Sequence, residues 1–152
     1  MNKRKEARMK LGEAGCIVLM TLLLAACMAH ISTVSVDPDV LVEYHRSGGF
    51  AGLDDQLAIR RNGKAILSTR DQTIDVLLTN EQLVQIEQQL EQADLSQLAG
   101  NYEATSPGAD QVEYILIYEG KQVRGLDTTM PEKLYPLLDH LDAIIAHAFE
   151  SN

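Results

Sequence analysis

The sequence has 152 residues, with 13 Lys and Arg side chains against 22 Asp and Glu side chains. Residues 1–26 hold five of the basic and two of the acidic side chains, so residues 27–152 carry 8 basic against 20 acidic ones, a formal charge of −12. This charge argues against a nucleic-acid partner, since a phosphate backbone attracts basic surfaces. The 45% of apolar residues is enough to form a core, and the length predicts one domain. Both cysteines lie within the first 27 residues, so a disulfide framework in the rest of the chain is excluded.

The first 26 residues have the pattern of an export signal. Residues 1–15 are basic and polar, and Cys16–Ala26 is an apolar run of 11 residues. A helix that spans a bilayer needs roughly 20 apolar residues, so the run is too short for a permanent span. A basic start, a short apolar segment and small residues before a cleavage point are typical of a secretory signal peptide.

The segment Leu24–Cys27 resembles the bacterial lipobox at all four of its positions. The resemblance implies that the signal is cut before Cys27, and that acyl chains on this residue anchor an exported protein to a bacterial membrane in the cell envelope. An ordinary signal peptide with an incidental Cys27, or an uncleaved anchor, are the alternatives. Met28 stands where Asp usually specifies inner-membrane retention, and the choice of membrane stays open. Residues 27–39 are then the lipidated cysteine and a short tether, which precede a domain over residues 40–150.

The first half of this domain is predicted to be a set of strands. β-rich or alternating apolar patterns mark four segments: Val40–Arg46, Asp55–Arg61, Lys64–Thr69 and Thr73–Leu78. Ser47-Gly48-Gly49 ends the first of them, and Asn62-Gly63 predicts a tight hairpin between the second and third because both of its residues tolerate positive φ.

The second half predicts a helix, two more strands and a terminal helix. Thr79–Gln82 has the spacing of a capping box, and the apolar period of three and four then continues to Ala93. Residues 99–110 are expected to be a loop. Gln111–Tyr118 and Lys121–Leu126 form a hairpin, and Pro131 opens a helix with a broad leucine stripe. The order predicts an α+β fold, an antiparallel sheet of about six strands with two helices packed on one face.

The sequence predicts no catalytic residues, no metal site and no cofactor. His140 and His147 are seven residues apart on one helix, and there is no HExxH pattern. Ser47 lacks the context of a nucleophile elbow, and the glycines that follow it lack the lysine of a phosphate loop. Asp54 and Asp55 are adjacent in a strand and should face opposite sides. A non-enzymatic protein is therefore expected.

Residues Tyr44–Leu53 resemble the start of the emfourin-like family, and Arg46–Gly52, which read Arg-Ser-Gly-Gly-Phe-Ala-Gly, match the pattern that ends its early strand. These small bacterial proteins are similar to an inhibitor of protealysin, an M4-family zinc peptidase of the thermolysin type. Three later segments carry a weaker resemblance, which extends it over roughly Val40 to Ala148: Thr79–Leu98, Gly108–Tyr114 and Pro131–Ile145. The resemblance implies a metalloprotease inhibitor whose partner is an M4-type metallopeptidase, and the lipobox adds the expectation that it is lipid-anchored.

The glycine-rich segment suggests how such an inhibitor could bind. The candidate partner-binding loop consists of Arg46, Ser47, Gly48, Gly49, Phe50, Ala51, Gly52 and Leu53. Glycines permit positive φ, and a constrained loop that presents Phe50 or Leu53 to an apolar pocket gains affinity from preorganisation. The alternative is that Phe50 fills the core and the glycines merely shape a turn. An envelope lipoprotein that acts as a non-catalytic interaction module is the second functional hypothesis, and the oligomeric state stays open.

Overall fold

The computed structural model describes residues 37–104, 108 and 110–151. The predicted signal peptide, the predicted lipidation site Cys27 and most of the tether lie outside the described residues. Seven strands and two helices follow in chain order: β1 Val40–Gly48, β2 Leu53–Arg60, β3 Lys64–Ser68, β4 Thr73–Leu77, α1 Asn80–Ala93, β5 Asn101–Tyr102, β6 Val112–Tyr118, β7 Lys121–Leu126 and α2 Tyr135–Glu150. Short 3-10 turns at Leu95–Gln97 and Glu132–Leu134 follow α1 and precede α2.

The strands form a single mostly antiparallel sheet in the order β4-β3-β2-β1-β6-β7-β5. β1 lies near the middle and pairs with β2 and β6, while only β5 runs parallel to its neighbour β7. The predicted α+β class and the antiparallel sheet are therefore confirmed. The sheet has seven strands rather than about six, because Asn101–Tyr102, expected to be loop, pairs with β7 as a two-residue edge strand.

One face of the sheet and the apolar sides of both helices form the core. Burial alternates along β2, β3 and β7, as expected of strands with one covered face. In β1 both Leu41 and Val42 are buried, because the register shifts between Val40 and Val42. The predicted leucine stripe of α2 is buried in the same cluster, and α1 contributes Ile86, Leu90 and Ala93.

The start of α1 agrees with the sequence pattern, but the start of α2 does not: Pro131, expected to open the terminal helix, precedes the 3-10 turn Glu132–Leu134, and α2 begins only at Tyr135. The capping box is present: the Gln82 N–H donates to Thr79 Oγ1 at 3.2 Å, and the Thr79 N–H donates to Gln82 Oε1 at 2.9 Å. These two bonds satisfy backbone groups that would otherwise lack partners at the helix start. α2 starts at Tyr135 with Pro136 in its first turn, where a missing N–H costs no helical bond.

The two helices contact each other, and α2 packs against the sheet. Gln89 of α1 donates from Nε2 to the Pro136 carbonyl at 3.1 Å, and its Oε1 lies 3.0 Å from His140 Nδ1. Asp142 of α2 reaches the sheet, where its carboxylate accepts a hydrogen bond from Tyr44 Oη at 2.7 Å. The helix pair therefore fixes α2 over the centre of the sheet.

Replacing His140 with glutamine is expected to make unfolding less dependent on pH between about 7.5 and 5.5. Burial lowers the pKa of His140 from its ordinary value of 6.5, so the folded state favours the neutral ring. The unfolded state takes up a proton as the pH falls through about 6.5, and the folded state loses stability relative to it. Urea unfolding of both proteins at several pH values measures this. An equal loss of stability in the His140→Gln variant would contradict the assignment.

Candidate functional site

The candidate binding loop is the hairpin turn between β1 and β2. Gly49, Phe50, Ala51 and Gly52 form the turn, and the Gly52 N–H closes it by donating to the Gly49 carbonyl at 3.0 Å. Phe50 lies at the tip with 96% of its surface exposed. The alternative in which Phe50 fills the core is therefore wrong. A large apolar side chain that projects from a surface turn is a common anchor in protein interfaces.

Three hydrogen bonds from outside the turn hold its backbone in place. The Phe50 N–H donates to Asp110 Oδ1 at 2.8 Å, and the Gly49 N–H donates to the Gln111 carbonyl at 2.9 Å. On the other side, Arg70 Nη2 donates to the Gly52 carbonyl at 2.8 Å. We name the four-residue turn together with these bonds the Phe50 turn. Because its backbone is fixed before any partner arrives, ordering it on binding costs little conformational entropy.

Gly48, just before the Phe50 turn, and Gly49 within it are required by both dihedral angle and space, and Gly52 is required by its dihedral angle. Gly48, Gly49 and Gly52 have φ values of +89°, +66° and +62°. A Cβ atom on Gly48 would lie 2.9 Å from the Gln111 carbonyl oxygen, and one on Gly49 would lie 2.9 Å from Val112 Cγ2. A side chain at either position would therefore force neighbouring atoms to shift.

Replacing Gly49 with alanine is expected to destabilise the protein by about 2 kcal/mol, because the new Cβ meets Val112 while the backbone holds a positive φ. The matched control is Gly100→Ala, whose Cβ would lie 3.6 Å from the Gln122 carbonyl, an ordinary contact. Urea unfolding of both variants measures the difference. Equal stability of the two variants would show that the Phe50 turn relaxes without strain.

Arg46 belongs to the predicted loop, but its side chain points towards α2 rather than to the turn. Its Nε donates to Asp55 Oδ2 at 2.8 Å, and its Nη1 donates to Asp142 Oδ1 at 2.8 Å. Asp142 also accepts the bond from Tyr44, whose ring stacks on Tyr114 with centroids 6.0 Å apart. We name Tyr44, Arg46, Asp55 and Asp142 the Arg46 network. It ties the β1–β2 hairpin to α2.

The pKa values within the Arg46 network follow from burial and close charges. Burial and the neighbouring Asp142 carboxylate raise the pKa of Tyr44 far above its ordinary value of 10. Burial lowers the pKa of Arg46, but the hydrogen bond to Asp55 and the charge of Asp142 outweigh it and raise the pKa overall. The network therefore holds a neutral phenol and a charged guanidinium. We interpret it as a structural ion-pair cluster.

The other predicted loop residues lie in the strands that flank the turn. Ser47 is half-buried on β1 opposite Asp54, and Leu53 is half-buried at the first position of β2. Asp54 and its neighbour Asp55 face opposite sides of the sheet, as predicted, and Asp54 Oδ1 lies 3.4 Å from His45 Nε2. Only the Phe50 turn presents an exposed apolar side chain at this end of the hairpin.

The residues that hydrogen-bond to the turn from outside it were not predicted from the sequence. Asp110 and Gln111 lie about 60 positions beyond Phe50, and Arg70 lies 18 positions beyond Gly52. The one available signal was the predicted change from a loop over residues 99–110 to a strand at Gln111–Tyr118. The contact of this segment with the turn follows only from the pairing of β1 with β6.

Within residues 37–104, 108 and 110–151, no three His, Cys, Asp or Glu side chains lie close enough to hold a metal ion. In the same described part, none of the helices has the length and apolar character that crossing a bilayer requires. Comparison with protein-family models and with curated proteins found no match to this chain. The candidate site is therefore defined by the geometry of the Phe50 turn alone.

Proposed function

We propose that the protein is a lipid-anchored inhibitor of M4-type, thermolysin-like metallopeptidases. The observation that carries the proposal is the fixed, fully exposed position of Phe50 at the tip of the β1–β2 hairpin. Thermolysin-like peptidases favour large apolar side chains in their main specificity pocket. The resemblance of Arg46–Leu53 to the emfourin-like family supports the same target class.

In this proposal the protein inhibits by holding Phe50 rigidly in position for the specificity pocket of the peptidase. It does not itself catalyse a reaction. Phe50 enters the pocket, and the bonds from Asp110, Gln111 and Arg70 keep the backbone of the turn in its free conformation. The glycines on both sides of Phe50 keep the turn narrow, which allows it to enter a cleft. Affinity then comes from burying one aromatic ring at low entropic cost.

Membrane attachment belongs to the same proposal and depends on the segment Leu24–Cys27. Each buried acyl CH2 group contributes about 0.8 kcal/mol, so two or three chains hold a protein firmly at the membrane. An anchored inhibitor would protect the envelope from secreted metallopeptidases. Labelling with a radioactive fatty acid in cells tests this part, and retention of the label by a Cys27→Ser variant would contradict it.

A competition experiment tests where the protein binds its target. We expect it to bind thermolysin or a protealysin-like peptidase, and we expect a small inhibitor bound in the specificity pocket to weaken this binding at least tenfold. Isothermal titration in the presence and absence of the small inhibitor measures the effect. Equal binding in both titrations would show that Phe50 does not occupy the pocket.

The second candidate is a non-catalytic interaction module in the cell envelope. The face of the sheet opposite the helices favours it, because this face carries the apolar side chains of Ile66, Ile115 and Ile117 at least partly exposed. Exposed apolar area on one sheet face is typical of surfaces that bind other proteins. Recovery of a non-peptidase partner from envelope extract, together with no binding to M4 peptidases, would favour this function.

A further inference from the structure

In the part of the chain that the structure describes, strand β4 forms one edge of the sheet, and one side of its backbone has no strand next to it. Within the described residues β4 pairs only with β3. The bonds that flank this pairing run from the Leu78 N–H to the Gly63 carbonyl and from the Thr69 N–H to the Gln72 carbonyl. Because antiparallel pairs alternate between bonded and non-bonded residues, every second residue of β4 directs its N–H and C=O away from β3. These residues are Thr73, Asp75 and Leu77.

A groove lies next to this edge, between β4 and the last turn of α2. Its volume is about 210 Å³, and Ile74, Val76, His147 and Ala148 are among the residues that line it. Leu77, at the end of β4, is 76% exposed. We name β4 and this cavity the edge groove. An edge strand beside a helix is the arrangement to which extended peptides add as a further strand.

The charge of β4 distinguishes between possible occupants of the edge groove. Asp75 is the central residue of the strand and is exposed. Two copies of the protein paired symmetrically through β4 would place their Asp75 carboxylates opposite each other, which disfavours pairing. A cationic side chain at that position would instead form a favourable cross-strand pair. Its two neighbours would point to the other face, towards Ile74 and Val76.

We propose that the edge groove binds an extended peptide segment of another protein by strand addition to β4. The segment carries a lysine or arginine opposite Asp75, and apolar residues on both sides of it that enter the groove. Main-chain hydrogen bonds to Thr73, Asp75 and Leu77 supply affinity, while the charge and the groove supply specificity. This surface is separate from the Phe50 turn, so the inference does not rest on the proposed inhibition.

The test titrates the isotope-labelled full chain with the peptide acetyl-Ser-Thr-Val-Lys-Val-Thr-Ser-amide. We expect amide shift changes in Thr73–Leu77 and in the last turn of α2, with a dissociation constant below 1 mM, in the range of weak transient interactions. Exchanging the lysine of the peptide for glutamate should weaken binding at least fivefold. In an Asp75→Lys variant the preference should reverse, so that the glutamate peptide binds more tightly.

Two further measurements separate strand addition from other forms of binding. A peptide methylated on the backbone nitrogen of its lysine cannot donate to β4, and we expect it not to bind. An Asp75→Pro variant of the protein removes an outward N–H but retains the bonds to β3, and it should lose binding as well. The Phe50→Ala variant should bind the peptide as the wild type does.

Three results of the peptide titrations would overturn the proposal. They are an absence of shift changes at 2 mM peptide, shift changes confined to residues outside the edge groove, and equal binding of the methylated peptide. A concentration-dependent dimer that the Asp75→Pro variant abolishes would also overturn it, because a second copy would then occupy the edge.

Discussion

Replacing Phe50 with alanine is expected to weaken inhibition of a thermolysin-like peptidase at least tenfold. The exposed ring is the one large apolar group that the turn presents, and truncation of a central interface anchor costs about 2 kcal/mol or more. Because the ring is 96% exposed, its removal should leave stability within about 0.5 kcal/mol of the wild type. Inhibition constants and urea unfolding curves for the same samples measure both effects.

The matched control for this variant is Phe149→Ala. Phe149 is the other phenylalanine of the chain and lies near the end of α2, where it is 42% exposed. We expect its replacement to leave the inhibition constant unchanged. Equal inhibition by the wild type and the Phe50→Ala variant would remove the Phe50 turn from the mechanism and would favour another surface.

Replacing Arg46 with methionine is expected to destabilise the protein by about 3 kcal/mol. The side chain is 16% exposed and pairs with Asp55, whose side chain is 9% exposed. Without Arg46 the buried carboxylate of Asp55 has no positive charge beside it. The cost of burying this unpaired charge accounts for most of the lost stability. Thermal and urea unfolding of the Arg46→Met variant measure it. A second change, Asp55→Leu, should restore part of the lost stability because it removes the unpaired buried carboxylate.

Arg124→Met provides the control for the Arg46 variant. Arg124 also forms an ion pair, with Glu113 at 2.7 Å, but its side chain is 49% exposed. Solvent screens such a pair, so its loss should cost less than about 1 kcal/mol. Similar losses in the two variants would show that burial does not strengthen the Arg46 network.

Most helices and strands could be predicted because the residues that form each of them, or that lie next to it in the chain, show a recognisable pattern. The capping box at Thr79, the hairpin at Asn62-Gly63 and the leucine stripe of α2 each appear within a few residues of the chain. β5 was not predicted because it carries no local signal of this kind. Asn101–Tyr102 has only two residues in a stretch of loop composition, and its pairing with Arg124 and Gly125 of β7 makes it a strand.

The candidate site could be predicted only in part. The glycines around Phe50 indicated a constrained turn, and the positive φ values at Gly48, Gly49 and Gly52 agree with this. The direction of the Arg46 side chain could not be predicted, because its partner Asp142 lies 96 positions later in the chain. The exposure of Phe50 was also open, since a single aromatic residue between glycines suits either a core or a surface position.

A titration of enzyme activity tests most directly whether the Phe50 turn inhibits an M4 peptidase, as we propose. A fixed amount of thermolysin or of a protealysin-like peptidase is titrated with the purified protein, and the cleavage of a small fluorogenic substrate is followed. The proposed function predicts that activity falls in proportion to added protein until the two are equimolar. Full activity at micromolar concentrations of the protein against both enzymes would contradict it.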